Sequence, residues 1–371
     1  MPANTIIQTG TDFRLYSEAV TSHTTLPAGV YKIQYSPLGG YWLSTKSQND
    51  LFDALPDKLY GNHGAKVDKI LRRYTRHDDS LGVMFSGDKG MGKSLAMVTL
   101  AHTALTTLDL PIVIASDAYP DVAEFIDQLG ECMVIFDEFE KVFEQEDADM
   151  VNQQTQFLNL LDGMSSTKRL YVFTVNDVTS VSDYMLNRPG RIHYHIRFNY
   201  PGADDVRAYL RDNTEHVDEA EIEKVVVFSA TSKINYDHLR AIASELNNGE
   251  TFAEAIEDLN IKTFDKTHYV ATLTLQDGST QTRHLRDEID LYADSDQTFP
   301  VWESIDGELH RLEIKFHRDN GTFTEHGFTT TDFTFKYPYA DENSSEYIAK
   351  TPVKLHIAAA PQTDYNYALA L

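Results

Sequence analysis

Eight consecutive residues, Gly87-Asp88-Lys89-Gly90-Met91-Gly92-Lys93-Ser94, fit G-x-x-x-x-G-K-[ST] at every fixed position. Glycines at these points let a loop turn tightly, so that backbone N–H groups converge on phosphate oxygens. A lysine at the seventh place reaches the β- and γ-phosphates, and a hydroxyl at the eighth is a Mg²⁺ ligand. Gly87 through Leu95 are therefore the candidate nucleotide-binding residues. The pattern carries weight only in the right setting. Here the apolar run LGVMF (81–85) reads as a buried strand entering the loop, and residues 95–106 read as the helix leaving it. A chance match in a glycine turn would lack both neighbours.

A second group of residues suits the same chemistry. CMVIFDEFE (132–140) places Asp137 and Glu138 at the end of an apolar strand. A carboxylate there can hold the Mg²⁺ shell, which suits Asp137. Glu138 can orient and deprotonate an attacking water. RLYVFTVND (169–177) sets Asn176 at the end of another strand, where its amide can bond that water or the γ-phosphate. Alone, such an Asn is a turn residue. MLNRPGR (185–191) holds Arg188 and Arg191 on a Pro-Gly turn. An arginine pointed at a neighbour's phosphates stabilises transition-state charge, whereas the plainer alternative is a pair of surface arginines.

These residues need a frame. Apolar strands at 81–86, 111–116, 132–137, 169–175 and 192–198 alternate with helical stretches at 92–106, 121–130, 151–163 and 180–187. Such alternation predicts an α/β fold with a mostly parallel sheet covered by helices. Residues 203–260 space apolar side chains at three and four, which predicts a small helical unit. Residues 264–371 switch to period two with DGS, DG and DNG turns, which predicts a β-rich domain. VYKIQYS (30–36) and YWLSTKS (41–47) flank Pro-Leu-Gly-Gly and read as a hairpin. The expected organisation is a β segment at 1–50, a nucleotide-binding core at 51–202, a helical lid at 203–262 and a C-terminal β domain at 263–371.

The glycine loop, VIFDEFE, FLNLLDGMSSTKRLYVFTVND and NRPGRIHYHIRF together resemble the AAA+ ATPases, over about residues 55–260. Within 157–198 the tract is most similar to the mitochondrial AAA translocases that export a folded Rieske iron–sulfur protein, which share the LDG and RPGR segments. The resemblance implies a P-loop αβα core with a five-stranded parallel sheet, an α-helical lid, ATP with Mg²⁺, and a homo-oligomeric ring, most often a hexamer. It implies Walker A at Lys93 and Ser94, Walker B at Asp137 and Glu138, sensor 1 at Asn176, and arginine fingers in trans at Arg188 and Arg191. It departs from the family where Tyr236-Asp237-His238 replaces the usual glycine-aspartate start of the last lid helix. Tyr60 and Gly61, just upstream of the core, are the candidate adenine contacts.

In this family the loops lining the central pore follow the second strand and Walker B, here Ser116–Asp121 and about 144–150. Tyr119 is a candidate gripping aromatic or a packing residue, and Asp121 a helix cap. Both loops are acidic, which favours a protein substrate over a phosphate chain. The net charge of −25 is likewise unsuited to generic nucleic-acid binding. Against it, Lys66, Lys69, Arg73 and Arg76 share one helical face beside Arg72. A solvated or inter-subunit face is one reading, a nucleic-acid contact the other.

His193 and His195 lack the further ligands of a zinc site. Trp302, Phe316, Phe323, Phe333 and Phe335 read as β-core residues. The lone Cys132 fits a reducing compartment. No secretory start and no apolar run long enough for a bilayer are seen, so a cytoplasmic protein is expected, of prokaryotic or viral type. The functional expectation is an ATPase that remodels or translocates a protein partner. A DNA-transaction ATPase, such as a helicase or clamp loader, and a nucleotide-gated scaffold are the alternatives.

Overall fold

The computed structural model describes residues 5–17, 20–53, 55–56, 58–61, 63–117, 119, 121–142, 161, 167–181, 190–259, 261, 268–286, 289–305, 308–336 and 348–360. The chain forms two compact units. One comprises 1–58, 63–86 and 94–196; the other comprises 59–62, 87–93 and 197–371. The glycine loop and the short stretch before the core thus group with the later residues, which a linear reading of domains does not anticipate.

In the first unit, β1 (Thr5–Thr9) and β2 (Asp12–Tyr16) pair antiparallel as a small sheet of their own. The next strands are β3 (Val30–Ser36), β4 (Gly40–Lys46), β5 (Leu81–Ser86), β6 (Ile112–Ile114), β7 (Cys132–Phe136), β8 (Arg169–Val175) and β9 (Tyr194–Arg197). They form one sheet of seven strands in the order β4-β3-β6-β7-β8-β5-β9. The expectation of five strands is corrected. The five anticipated strands lie side by side, and the β3–β4 hairpin extends them: β3 runs parallel to β6 with Val30 beside Ile112, while β4 closes the edge antiparallel. The N-terminal β segment is in this part a piece of the core sheet.

The continuous apolar runs explain why the middle strands are interior. β5, β7 and β8 are buried at every residue, as strands covered on both faces must be. β5–β8, β8–β7 and β7–β6 are all parallel. Their side chains join Phe136, Phe139 and Phe173 in one core cluster, with Phe136 and Phe173 stacked at 5.0 Å and Phe139 edge-on to both. Among the described residues, the largest fully buried side chain is Arg169 at the start of β8. Its guanidinium reaches the Asp127 carboxylate at 3.2 Å, the Asp127 carbonyl at 2.7 Å and the Leu129 carbonyl. It therefore satisfies the open carbonyls at the end of helix Val122–Gln128.

Of the helices expected between the strands, Lys93–Leu108 and Val122–Gln128 are present. The stretches at 151–163 and 180–187 fall, but for Leu161, Ser180 and Val181, outside the described residues. Asp121 does not act as a side-chain cap; it precedes its helix with φ +59° and no capping hydrogen bond. Tyr119 packs against Tyr35 and Tyr41 of the hairpin, at 5.3 and 6.3 Å between rings.

In the second unit, helices Ala203–Asn213, Glu219–Ser229, Tyr236–Asn247 and Phe252–Asp258 share a core of Val206, Leu210, Val225, Leu239 and Ile242. The later strands are β10 (His268–Leu275), β11 (Thr280–Arg286), β12 (Gln297–Ile305), β13 (Glu308–Phe316), β14 (Thr322–Thr324), β15 (Gly327–Thr330), β16 (Phe333–Lys336) and β17 (Pro352–Ala359). They make a five-stranded sheet, β11-β10-β17-β15-β14, and a three-stranded one, β12-β13-β16. Phe316 is buried, and Phe323, Phe333 and Phe335 pack around the same core. Trp302 is corrected: it is 56% exposed, because on a strand with one face inward its neighbours Val301 and Phe299 take the interior places of the alternation. Among the described residues, no helix is long and apolar enough to cross a membrane.

Candidate functional site

The glycine loop departs from β5 through backbone geometry that side chains resist. Gly87, Gly90 and Gly92 all have positive φ, at +142°, +76° and +87°. At Gly87 the space a Cβ would need is held by the Phe198 carbonyl oxygen, so only glycine fits. Lys93 is buried, and its ammonium donates to the loop's own carbonyls, Gly87 O at 2.6 Å and Asp88 O at 2.8 Å. The lysine thus lies folded over the loop whose amides would receive an anion. Met91 is wholly buried and anchors the loop.

Residues outside the motif brace it. Tyr200 donates its hydroxyl to Asp88 Oδ2 at 2.7 Å. Asn235 Nδ2 donates to the Lys89 carbonyl at 3.1 Å, and the Tyr236 amide donates to the Gly90 carbonyl at 3.0 Å. A Cβ on Gly90 would meet Asn235 Nδ2 at 2.6 Å and Asp237 Oδ2 at 2.8 Å. The start of helix Tyr236–Asn247 therefore touches the loop through Asn235 and the Tyr236 backbone, in the place where the sequence departs from the AAA+ pattern. Sequence reasoning missed Asn235 and Tyr200. The available signal was Asn235 as a helix cap, since its side chain accepts from His238 N at 2.8 Å in a capping box.

Tyr60 belongs to the same unit. Its hydroxyl donates to Asp212 Oδ2 at 3.0 Å and accepts from Asn213 Nδ2 at 3.1 Å. Its ring lies 5.0 Å from that of Tyr209 and 6.1 Å from that of Tyr236. Burial, then the bond to Asp212, pushes its phenol up to about 12, so it stays a neutral donor at physiological pH. Gly61 follows it with φ +72°. With Tyr209 of helix Ala203–Asn213 and Tyr236 of helix Tyr236–Asn247, Tyr60 makes a cluster of three aromatic rings, a kind of surface on which a planar base can stack.

The carboxylates form their own network in the first unit. Ser94 Oγ donates to Asp137 Oδ1 at 3.1 Å. Thr174 Oγ1 donates to the same oxygen at 2.6 Å and accepts from the Glu138 amide at 2.8 Å. Thr174 on β8 thus fixes both the carboxylate of Asp137 and the backbone of Glu138. Glu138 has φ +53°, a conformation that costs a non-glycine residue about 1–3 kcal/mol and persists where its surroundings enforce it. Asn176 Nδ2 donates to Glu138 Oε1 at 3.2 Å and to Glu140 Oε1 at 2.7 Å, and its backbone amide donates to Glu140 Oε1 at 2.9 Å. Glu138 Oε2 accepts from Lys141 Nζ.

The structure thus brings Ser94, Asp137, Glu138 and Asn176 together. It adds Thr174, Glu140 and Lys141, which sequence reasoning missed. Thr174 was visible only as the polar residue in the run YVFTV (171–175), and Glu140 and Lys141 as part of the turn after Asp137 and Glu138. Ser94 and Asp137 offer two hard oxygen donors close together, which fits the ligand preference of Mg²⁺.

The arginine corner divides. Arg188 lies outside the described residues. Arg191 is 7% exposed, with its carbonyl seated where Gly82 of β5 has no Cβ; next to it, His193 N donates to the Gly82 carbonyl at 2.9 Å. Of the acidic pore-loop candidates, 144–150 also lie outside the described residues. The basic helix His63–Arg76 is partly committed inside its own unit. Arg73 makes a two-pronged bond to Asp79 at 2.9 and 3.1 Å, and Lys69 sits 4.9 Å above the Tyr194 ring. His195 bonds Ser86 Oγ at 2.7 Å and so serves β5.

Residues 83–200 match the family model described as ATPase family associated with various cellular activities (AAA). The match spans the glycine loop, Asp137 and Glu138, Asn176 and the arginine corner. It supports an AAA+ ATPase with a P-loop α/β fold, general ATPase activity and nucleotide binding.

Proposed function

We propose that this chain is a ring-forming, Mg²⁺-dependent ATPase that couples hydrolysis to remodelling or translocation of a protein partner. The observation that carries the reading is the joint presence of two networks next to one peptide bond. Lys93 closes the phosphate loop, and Ser94, the next residue, bonds Asp137. Gly87–Lys93 would cradle a triphosphate, and Ser94 and Asp137 offer oxygens suited to its metal. Bound Mg²⁺ would neutralise phosphate charge there, held by Ser94 and Asp137. Lys93 exchanges its loop carbonyls for phosphate oxygens. Glu138 accepts the proton of the attacking water, and Asn176 fixes the position of that carboxylate.

Completion by a neighbouring subunit is part of the reading. A finger needs a guanidinium that leaves its own chain. The burial of Arg191 turns that role toward Arg188, with Arg191 holding the corner against β5. The adenine is assigned to Tyr60 and Gly61, with Tyr209 and Tyr236 beside them. The similarity of 157–198 to Rieske-exporting translocases favours a protein cargo, and the internal pairing of Arg73 and Lys69 argues against the nucleic-acid alternative.

The test is a pair of variants. Lys93→Ala should lose ATP binding. Glu138→Gln should keep binding, lose hydrolysis and hold the assembled state, from which cross-linked partners can be recovered. Retained binding in Lys93→Ala overturns the site assignment. ATPase stimulated by DNA, lost at high salt and in Lys69→Glu, replaces the protein-remodelling reading with the DNA-transaction one.

A further inference from the structure

We propose that Tyr200 is a positioning residue for the triphosphate: its hydroxyl holds the Asp88 carboxylate away from Lys93 and so leaves that ammonium to the phosphates. This rests on the nucleotide site proposed above and adds what sets its affinity. Asp88 is the second residue of the glycine loop, a place the motif leaves open. A carboxylate there puts a negative charge on the loop that must receive a polyanion. Asp88 is engaged at both ends. Its carbonyl accepts from Lys93 Nζ at 2.8 Å, and its Oδ2 accepts from the Tyr200 hydroxyl at 2.7 Å. The residue thus meets the lysine through its backbone and the tyrosine through its charge.

Tyr200 is placed to keep that bond. Phe198, two residues earlier, is buried, and its carbonyl oxygen occupies the space a Cβ on Gly87 would need. The chain just before Tyr200 is therefore packed on the first residue of the loop. Pro201 follows, buried as well, and a residue before proline is biased toward extended backbone. Lys233 Nζ sits 5.8 Å from the centre of the Tyr200 ring. Burial, then the bond to Asp88, raises the phenol above its ordinary value, so it is a neutral donor at neutral pH. All these residues belong to the second compact unit. Without the hydroxyl, the carboxylate is released to turn toward the Lys93 ammonium, which is already bonded to the same residue. An ion pair there would compete with the β- and γ-phosphates for the same cation, and the carboxylate would repel them.

Tyr200→Phe removes the hydroxyl and keeps the ring. A fluorescent ATP analogue with Mg²⁺ is titrated into wild type, Tyr200→Phe and the double variant Tyr200→Phe/Asp88→Asn at low and high salt, with Lys93→Ala as the site control and steady-state ATPase alongside. Tyr200→Phe should weaken affinity about three- to tenfold at low salt, the scale of one partly exposed charge contact. KM should rise in step while kcat stays within about twofold. The loss should shrink at high salt, since it is a contest between charges. Asp88→Asn removes the competing charge, so the double variant should recover the wild-type affinity to within about twofold. Unaltered affinity in Tyr200→Phe, or a loss that persists in the double variant or at high salt, overturns this inference and leaves the site standing. Binding of the analogue that survives Lys93→Ala overturns the site assignment and the inference with it.

Discussion

Glu140 offers a sharp test of how the site is held. One of its oxygens receives two hydrogen bonds from the same residue, the Asn176 backbone amide at 2.9 Å and the Asn176 side chain at 2.7 Å. The other, Oε2, is buried without a hydrogen-bond partner among the described residues. A partly buried carboxylate used on one oxygen is an expensive way to build a turn. It makes sense if the direction of the Asn176 amide matters, because that amide also bonds Glu138, the proposed base, at 3.2 Å. A hydrogen bond to a charged group contributes about 1.5–3 kcal/mol. If that energy orients Asn176 in the transition state, Glu140→Ala should lower kcat roughly 10- to 150-fold. KM should stay within about threefold, since Glu140 lies on the carboxylate side and not on the phosphate loop.

Glu140→Gln separates orientation from charge. It keeps an acceptor oxygen for both Asn176 donors and should retain kcat to within about threefold to tenfold of wild type, the loss of charge assistance alone. ATPase rates under saturating ATP, with nucleotide affinity measured separately by fluorescent-analogue titration, decide the matter. Thermal unfolding of each variant checks that the fold is intact. Two results would refute the reasoning: an Ala variant with more than half of wild-type kcat, or a Gln variant as impaired as Ala.

Two further outcomes test the frame around the site. Arg169→Met should destabilise the first unit by about 1–3 kcal/mol, because the carbonyls of Asp127 and Leu129 lose their donor; a lowered melting temperature with nucleotide affinity intact is the expected result. Cys132 is buried in β7, and burial pushes its thiol up to about 11, so a thiol reagent at pH 8 should label it only after denaturation. Its folded pKa lies above its unfolded value near 9. The stability tied to it is therefore complete below pH 9 and declines as the pH rises toward 11, which a pH series of melting curves can follow.

The readability of this molecule from its sequence followed the length scale of each signal. A phosphate loop is local, so Gly87 to Ser94 identify themselves from spacing and flanking elements. Asp137, Glu138 and Asn176 lie at strand ends, and apolar runs of five to seven residues mark them well. The β3–β4 hairpin reads as a hairpin, but its place beside β6 depends on a parallel register between Val30 and Ile112, some eighty residues apart, and no local pattern encodes that pairing. The same limit hides Thr174, whose role arises only when β8 lies next to β7 and its hydroxyl meets Asp137. Asn235 was legible as a helix cap, while its contact with the Lys89 carbonyl spans about 146 residues.

The residues that sequence reasoning missed share a feature. Thr174, Glu140 and Lys141 bond Asp137, Glu138 and Asn176; they set how the chemistry-bearing groups are held. Motif residues are recognisable because the reaction dictates their type. Supporting residues answer to geometry, and many types can satisfy one geometry. In the proposed role Asp137 must be a carboxylate, but the Thr174 hydroxyl that bonds it needs only to sit on the adjoining strand at the right height. This asymmetry explains why the motif residues are readable from the sequence while the residues that hold them are not. After Asp137 the chain sets Glu138 against the Lys141 ammonium and Glu140 against the Asn176 amide. Substitutions there should alter the rate and pH dependence of turnover while leaving the glycine loop, and with it nucleotide affinity, unchanged.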